Sequence, residues 1–345
     1  MGLREYIIRR LLFLIPIVLG VVILIFAVIQ IIPPEHRAVI YVTSPRQMEN
    51  LGFIVQLYGL DKPVWEQFTI WLREVLKGNF GYSAYYREFV VPGLLTRLPA
   101  TIEIVIYCAP IIIFFGIWLG TTAAVKRDKM PDHVSRVMSI LGTSLPSFLI
   151  GIILIAIFIA QLRWTTLGRV TNVGDLTLAI KNGEFHAYTG LITIDALLNG
   201  DFGLFVDALK HLILPVIVLV FIQSAVLVRV TRSSMLEALS KTYIVAARAK
   251  GLSRKEVIYK HARRNALIPV VTLSGLLVGG MLTGLIITET VFHLPGVGQY
   301  AAVAAAHYDV AIVVTYAMFS ALIFVLANLI VDILYAYIDP RIRLG

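Results

Sequence analysis

One cysteine, Cys108, is all the thiol chemistry in 345 residues, and only 15% of the chain is charged. A single thiol excludes an internal disulfide framework and a thiolate metal cluster. Set inside an apolar run, Cys108 reads as a small buried hydrophobe. Globular chains carry about 25% charged residues, so the shortage here excludes an ordinary soluble enzyme, a disordered segment and a collagen-like chain. No Gly-Lys dipeptide occurs, and so no G-x-x-x-x-G-K-[ST] loop to cradle a nucleotide phosphate. H-E-x-x-H is absent, and His36, His133, His186, His211, His261, His293 and His307 do not cluster at metal-ligand spacing. Gly142-Thr143-Ser144 lacks the following glycine of a serine-hydrolase elbow. What the chain has instead is apolar surface: 58% hydrophobic residues and a mean hydropathy of +0.84.

Six runs carry no Asp, Glu, Lys or Arg: Leu11–Ile32, Ile104–Val125, Val137–Leu162, His211–Val228, Ala266–Thr288 and Val310–Val331. The shortest is 18 residues and the longest 26. A hydrocarbon core of about 30 Å needs about 20 apolar residues at 1.5 Å each. The shortest run is expected to extend by a turn at one end. The ten-residue alternation of a transmembrane barrel is missing, so the expected fold is an all-α membrane protein with six transmembrane helices. The first run exceeds the roughly 7–15 apolar residues of a signal peptide and ends in Pro33-Pro34, which marks a retained helix.

An even number of spans puts both ends on one side. That side would hold 19 of the 30 Lys and Arg, among them Arg4, Arg9, Arg10, Lys126, Arg127, Lys129, Arg136, Arg341, Arg343 and ten between Arg229 and Arg264. By the positive-inside rule both termini are cytoplasmic, and the net charge of +9 is a topology signal with no nucleic-acid partner implied. The expected organisation is a cytoplasmic N-terminus and first helix (1–32), an external segment (33–96), a membrane core (97–338) containing a basic cytoplasmic loop (229–265), and a cytoplasmic tail (339–345). In the external segment Val64, Phe68, Trp71 and Val75 recur at helical spacing with Leu72 and Leu76 alongside. Asp61 is the expected N-cap and Gly78 the expected stop. The loop 163–210 is polar and shows no legible chemistry.

The basic loop carries more information. Thr242 can cap a short helix through Lys250, Gly251 stands where a left-handed cap is needed, and Ser253 with Glu256 forms a capping box that opens a second helix toward Asn265. Ala246, Ala247 and Ala249 would let a partner approach the backbone, with Arg248, Lys250, Arg254 and Lys255 placed to meet acidic groups. A solvated basic loop that only sets topology is the plainer alternative. Glu103, Glu289 and Asp332 border the spans. They leave open an ion-coupled secondary transporter, although all three sit near span ends.

The segment Ala246-Ala247-Arg248-Ala249-Lys250-Gly251-Leu252-Ser253, followed by His261 to Pro269, resembles the cytoplasmic loop of ABC-importer permeases, most of all the oligopeptide/dipeptide (and nickel) subfamily. Gly59–Pro63, Gly78–Gly81, Arg97–Glu103, His211–Pro215, Glu289–Phe292, Leu294–Gly296 and Asp339–Arg343 extend the likeness along nearly the whole chain. Two departures stand out. Val245 occupies the glutamate position of the E-A-A-x-x-x-G signature, and Pro269 lies eighteen residues after Gly251. The resemblance implies a type I importer fold in which Tyr243, Ala246, Ala247, Arg248, Lys250, Gly251 and Leu252 form the ATPase-coupling surface. It implies no cofactor on this chain, with ATP and magnesium on partner subunits. The implied partners are a homologous second permease, two ATP-binding subunits and an extracellular solute-binding protein. Short peptides are the implied substrate, with oligosaccharides, or nickel less readily, as alternatives.

Overall fold

The structure, a computed structural model, describes residues 3–338. The expected tail 339–345, with the Asp339–Arg343 motif, lies outside the described residues. α1 (Leu3–Ile29) leads into a compact segment made of α2 (Pro34–Arg37), 3-10 turns, α3 (Leu51–Leu57), α4 (Val64–Leu76) and a two-stranded antiparallel hairpin. In that hairpin β1 (Tyr82–Ser83) pairs with β2 (Glu88–Phe89), Tyr82 opposite Phe89. α5 (Val90–Val125), α6 (Met130–Ser144) and α7 (Ser147–Leu154, continued by π-helical turns to Gln161) follow. Then come α8 (Val173–Asn182), α9 (Ile192–Leu198), α10 (Phe202–Ser240), α11 (Thr242–Ala249), α12 (Arg254–Glu256) and, after further π-helical turns, α13 (Arg263–Leu282). α14 (Ile286–Val291), α15 (Val297–Ala306) and α16 (Val310–Ile338) complete the described chain.

Among the described residues, five helices are long and apolar enough to cross a membrane, and six if the bent pair α6–α7 counts as one span. The bend is 98° and lies at Ser144-Leu145-Pro146, a tripeptide whose sequence permits a bend or close helix packing, inside a run expected to be a single span. Its cause is local. Pro146 cannot donate to the preceding turn and forces Leu145 into an extended conformation (φ −85°, ψ 128°). Pro99, Pro110, Pro215 and Pro269, by contrast, sit within continuous helices. The fourth run does more than gain one turn. α10 spans 39 residues, about 58 Å at 1.5 Å per residue, and so projects well beyond a core of about 30 Å. α5 begins at Val90, so the expected boundary at residue 96 falls inside it.

Small residues let these helices meet closely. A Cβ on Gly116 or Gly120 of α5 would come within 2.5 Å of Leu227 or Thr231 of α10. Gly142 of α6 abuts Ala225, and Gly279 of α13 abuts Ala327 of α16.

α4 is the amphipathic helix that the periodicity predicts, with a different start. Its N-cap is Pro63, with no side-chain cap, and Asp61 is exposed outside the helix. The residue before a proline is disfavoured in α geometry, so Lys62 cannot be helical and an N-cap two residues earlier is ruled out. The stop agrees with expectation. Gly78 is left-handed (φ 80°), and its N–H and that of Asn79 close on Val75 O (2.9 Å) and Glu74 O (3.0 Å). The inner face holds Trp71 against Phe26 of α1 (5.4 Å between rings) and also two polar residues, Gln67 and Glu74. Gln67 donates to Leu60 O (3.0 Å) and Lys62 O (2.6 Å) and accepts from Arg37 (3.0 Å). Burial alone would raise the Glu74 carboxyl, but hydrogen bonds from Asn79 (3.0 Å) and Lys77 (2.6 Å) outweigh it and hold it below the usual glutamate range.

Candidate functional site

α10 ends in a basic elbow. Lys241 is the N-cap of α11 (ψ 151°) and makes no side-chain capping bond, so Thr242 is the first helical residue instead of the cap. One residue of shift at a helix end is ordinary. At the other end Lys250 is the C-cap and Gly251 is left-handed (φ 77°). Gly251 N–H donates to Arg248 O (3.0 Å) and Leu252 N–H to Ala247 O (3.4 Å), the paired bonds of a Schellman turn. Only glycine takes that φ without strain, which fixes both the length of α11 and the reversal after it. Ser253 then accepts from Glu256 N–H (3.3 Å) while its own N–H donates to the Glu256 carboxylate (3.1 Å). The capping box is present. The helix it opens does not end near Asn265: it runs on through the π-helical turns into α13 as far as Leu282.

The elbow is fastened by its own apolar knot. Ile244 and Ala247 of α11, Met235 and Ala238 of α10, Val257, Ile258 and Ala262 of the π-helical turns, Ala124 of α5 and Ala266 of α13 form one buried cluster. Of the residues singled out in sequence, Tyr243, Ala246, Arg248, Lys250 and Gly251 lie on the exposed side, with Val245 and Ala249. Leu252 is half-buried against the knot. Ala247 faces inward at 7% exposure, so its small size serves packing within the chain. Around the exposed side stand Lys241, Arg248, Lys250, Arg254, Lys255, Lys260 and Arg264, all exposed. Lys241 is paired with Glu237 (2.8 Å), which raises the Lys241 ammonium. The surface can therefore receive an acidic groove on another molecule through cations flanking a bare, small-residue helix.

A buried ionic clasp ties the approach to this elbow to the bent pair. Asp132, at the start of α6, is wholly buried. It accepts from Arg232 of α10 through both Nε and Nη2 (the latter 3.1 Å), from Arg136 (2.6 Å) and from the Asp128 N–H (3.0 Å). Farther along the same contact Ser139 donates to Ala225 O (3.2 Å) and Arg229 donates to Thr143 (3.0 Å). In the sequence alone Arg136 and Arg229 count only as topology charges, and no motif singles out Asp132. The available signal was an acid four residues before an arginine.

The three acids near span ends are all paired within the chain. Glu103 of α5 accepts from Arg169 (2.6 Å) and from the N–H and hydroxyl of Thr193 (2.7 and 2.8 Å), which fastens the 163–201 loop to the core. Glu289 of α14, wholly buried, accepts from Thr101 of α5 (2.7 Å) and from the N–H groups of Leu285 (3.2 Å) and Gln299 (2.8 Å). Thr101 in turn accepts from Val297 N–H (3.0 Å). Gly298 lies so close that a Cβ there would sit 2.9 Å from the carboxylate, so the Leu-Pro-Gly-Val-Gly turn is shaped around Glu289. Asp332 of α16 meets Arg10 of α1 (3.2 Å). Cys108 is buried in α5, and no group of three or more His, Cys, Asp or Glu able to hold a metal occurs among the described residues.

Comparison with known proteins adds an independent line. Residues 89–344 match the model of the family described as binding-protein-dependent transport system inner membrane component, and residues 3–105 match its N-terminal companion. The chain is 40% identical over 340 residues to the di/tripeptide transport system permease protein of Pseudomonas aeruginosa (strain UCBPP-PA14), covering 98% of both chains. It is 38% identical over 339 residues to the dipeptide transport system permease protein of Escherichia coli (strain K12), again 98% of both. It is 34% identical over 342 residues to the oligopeptide transport system permease protein of Bacillus subtilis (strain 168), covering 99% of this chain and 100% of that one.

Proposed function

Because this chain belongs to the binding-protein-dependent transport system inner membrane component family, we propose that it forms half of the pathway by which short peptides enter the cell. It is a multi-pass inner membrane protein and a permease subunit of an ABC importer, without catalytic chemistry of its own. It works within a multi-subunit importer.

The finer composition is part of the proposal: a homologous second permease, two ATP-binding subunits carrying ATP and magnesium, and an extracellular solute-binding protein. Both termini are cytoplasmic in this reading, which puts α11 on the side where ATP is available. The observation that carries it is the elbow itself, a short helix with a bare exposed side, fixed in length by Gly251 and ringed by exposed cations. ATP-driven closure of the two partner subunits would displace α11 as a rigid body, biasing the bundle between two states by differential contact. Peptide is favoured as the substrate by full-length similarity to di/tripeptide, dipeptide and oligopeptide permeases. The pairing of Glu103, Glu289 and Asp332 within the chain weighs against a role for them in ion coupling.

The test is uptake of labelled di- and tripeptides into proteoliposomes holding the complete assembly and its binding protein. Uptake should require ATP on the face that bears α11 and should persist with ion gradients collapsed. Uptake driven by an ion gradient without ATP overturns the reading.

A further inference from the structure

Where α1 and α16 meet the 33–89 segment, the bundle leaves an apolar groove of about 790 Å³. Leu24, Val28 and Ile32 form one wall and Val310, Val313 and Ala317 the other. Leu24 and Val28 are 64% and 54% exposed, so the described side chains do not cover this hollow. Val310 to Ala317 on the α16 wall spans about 10 Å at 1.5 Å per residue, within one leaflet of a hydrocarbon core of about 30 Å. The groove therefore lies in a single leaflet, at the end of the spans.

At that level its lining becomes polar. His36, Tyr308, Asp309 and Val310 also line a second hollow of about 200 Å³, whose other walls include Tyr82, Tyr85 and His307. Asp309 is 8% exposed and accepts from Ser83 (2.7 Å) on one oxygen and from Ile312 N–H (3.3 Å) on the other. Each oxygen keeps a lone pair for a further donor. The His307 ring bonds Val303 O through Nδ1 (2.8 Å) and stacks on Tyr85 (3.9 Å between centroids), so Nε2 is the ring nitrogen left for a ligand.

Tyr308 holds the position after the C-cap of α15, where Asp309 N–H closes on Ala304 O (2.8 Å) and Tyr308 N–H on Ala305 O (3.2 Å). That position normally takes glycine. Here a tyrosine adopts φ 57° and leaves its side chain 90% exposed. A left-handed tyrosine is strained, and the ring gains no burial in return.

We propose that the two hollows are a single binding site for one phospholipid with a primary-amine headgroup. An acyl chain lies between α1 and α16. The ammonium meets the Asp309 carboxylate among the rings of Tyr82, Tyr85 and Tyr308, and the phosphate is turned toward His36 and His307. A carboxylate walled by aromatic rings selects a cation. The apolar groove selects the chain that must accompany it, and tyrosines at a membrane boundary lie at headgroup level. The site needs only that α1 and α16 span the bilayer, so it stands apart from the transport reading.

The test uses the full chain co-expressed with its partner subunits and purified in detergent, with retained lipids measured by mass spectrometry. Wild type should keep about one amine phospholipid per chain through detergent exchange. Ala317→Trp, which fills the groove from an exposed position, should abolish retention with assembly intact. Tyr308→Gly relieves the backbone strain, so the protein should be at least as stable, yet its preference for phosphatidylethanolamine over phosphatidylglycerol should fall. Asp309→Asn should lower that preference by about tenfold, the loss of one charge-assisted hydrogen bond. Equal lipid retention by wild type and Ala317→Trp overturns the proposal, as does a headgroup preference unchanged in both Tyr308→Gly and Asp309→Asn. Crosslinking of Val313→Cys in whole membranes mainly to another protein chain would also overturn it, because the groove would then belong to a partner subunit.

Discussion

Asp132→Asn is expected to be the most damaging single change within the Asp132–Arg136–Arg232 clasp. The Asp132 side chain is 0% exposed, while those of Arg232 and Arg136 are 23% and 45% exposed. Removing one partner of a fully buried ion pair costs about 3–5 kcal/mol, because a charge is left without compensation. Here the stranded guanidiniums reach water in part, which brings the expected cost to about 2–3 kcal/mol. Arg136→Ala removes an exposed, solvent-screened partner and leaves Asp132 held by Arg232, so it should cost far less. The assay is thermal unfolding of the detergent-purified assembly, followed by tryptophan fluorescence and read as a ranking among variants. Arg232→Ala should fall between the two, and a double-mutant cycle on Asp132 and Arg232 should give a coupling above about 1 kcal/mol. The charge swap Asp132→Arg with Arg232→Asp should recover part of the loss. Asp132→Asn and Arg136→Ala matching within about 0.5 kcal/mol would refute the reasoning, since the buried carboxylate would then carry no more than a surface pair.

Gly251→Val forces a β-branched residue to φ 77° and should cost about 1–2 kcal/mol locally. Peptide uptake per ATP hydrolysed should fall, and unchanged coupling in proteoliposomes would show that the turn can be made otherwise. Ala246→Trp adds bulk to the exposed side of α11 and should abolish co-purification of the ATP-binding subunits while leaving thermal stability of the permease alone unchanged. Ala247→Trp should lower that stability by several kcal/mol through overpacking of the knot, and equal stability of the two variants would contradict the inward placement of Ala247. Glu74 is held below the usual carboxyl range, so its contribution is complete above the unfolded value of about 4.3 and is lost as pH falls through the lower folded value. Stability of the 33–89 segment, followed by hydrogen exchange around Trp71, should therefore decline below about pH 4.3, and Glu74→Gln should flatten that part of the profile.

The spans were legible because twenty-residue apolar runs have few alternatives. The Gly78 and Gly251 turns and the Ser253–Glu256 box were legible because their chemistry is local. What escaped was chemistry joining residues far apart in the chain. Asp132 and Arg232 are a hundred positions apart and become partners only because Gly142 and Ser139 let α6 lie against α10. Glu289 looked like an interfacial acid, and only the fold supplies Thr101 and the Gln299 N–H that explain it. Gln67 and Glu74 were hidden for a related reason: periodicity seeks apolar faces, and these polar residues are buried because Arg37, Asn79 and Lys77 satisfy them. The 98° bend was written in Pro146, yet a proline in an apolar run has the same appearance whether the helix breaks, as here, or continues, as at Pro110 and Pro215.

These long-range ties settle which parts can move together. α10 is one uninterrupted helix from Phe202 to the elbow, and the Arg232 clasp grips α6 within three turns of its end. α5 is held to α10 by close approach at Gly116 and Gly120. At its other end α5 holds α14 and the Leu-Pro-Gly turn through Thr101, and the 163–201 loop through Glu103. A push that the buried knot carries from α11 into α10 therefore meets no helix break before it reaches the opposite face. The joint that can yield is the break between α6 and α7, where Leu145 is extended and no helical hydrogen bond crosses Pro146. Under the proposed mechanism the α5–α10 pair acts as the lever and α7 swings about Pro146. Substituting Pro146 with alanine, which permits a straight helix, should thus slow uptake while leaving ATPase docking at the elbow intact. A Pro146→Ala variant that transports at the full rate would place the yielding joint elsewhere.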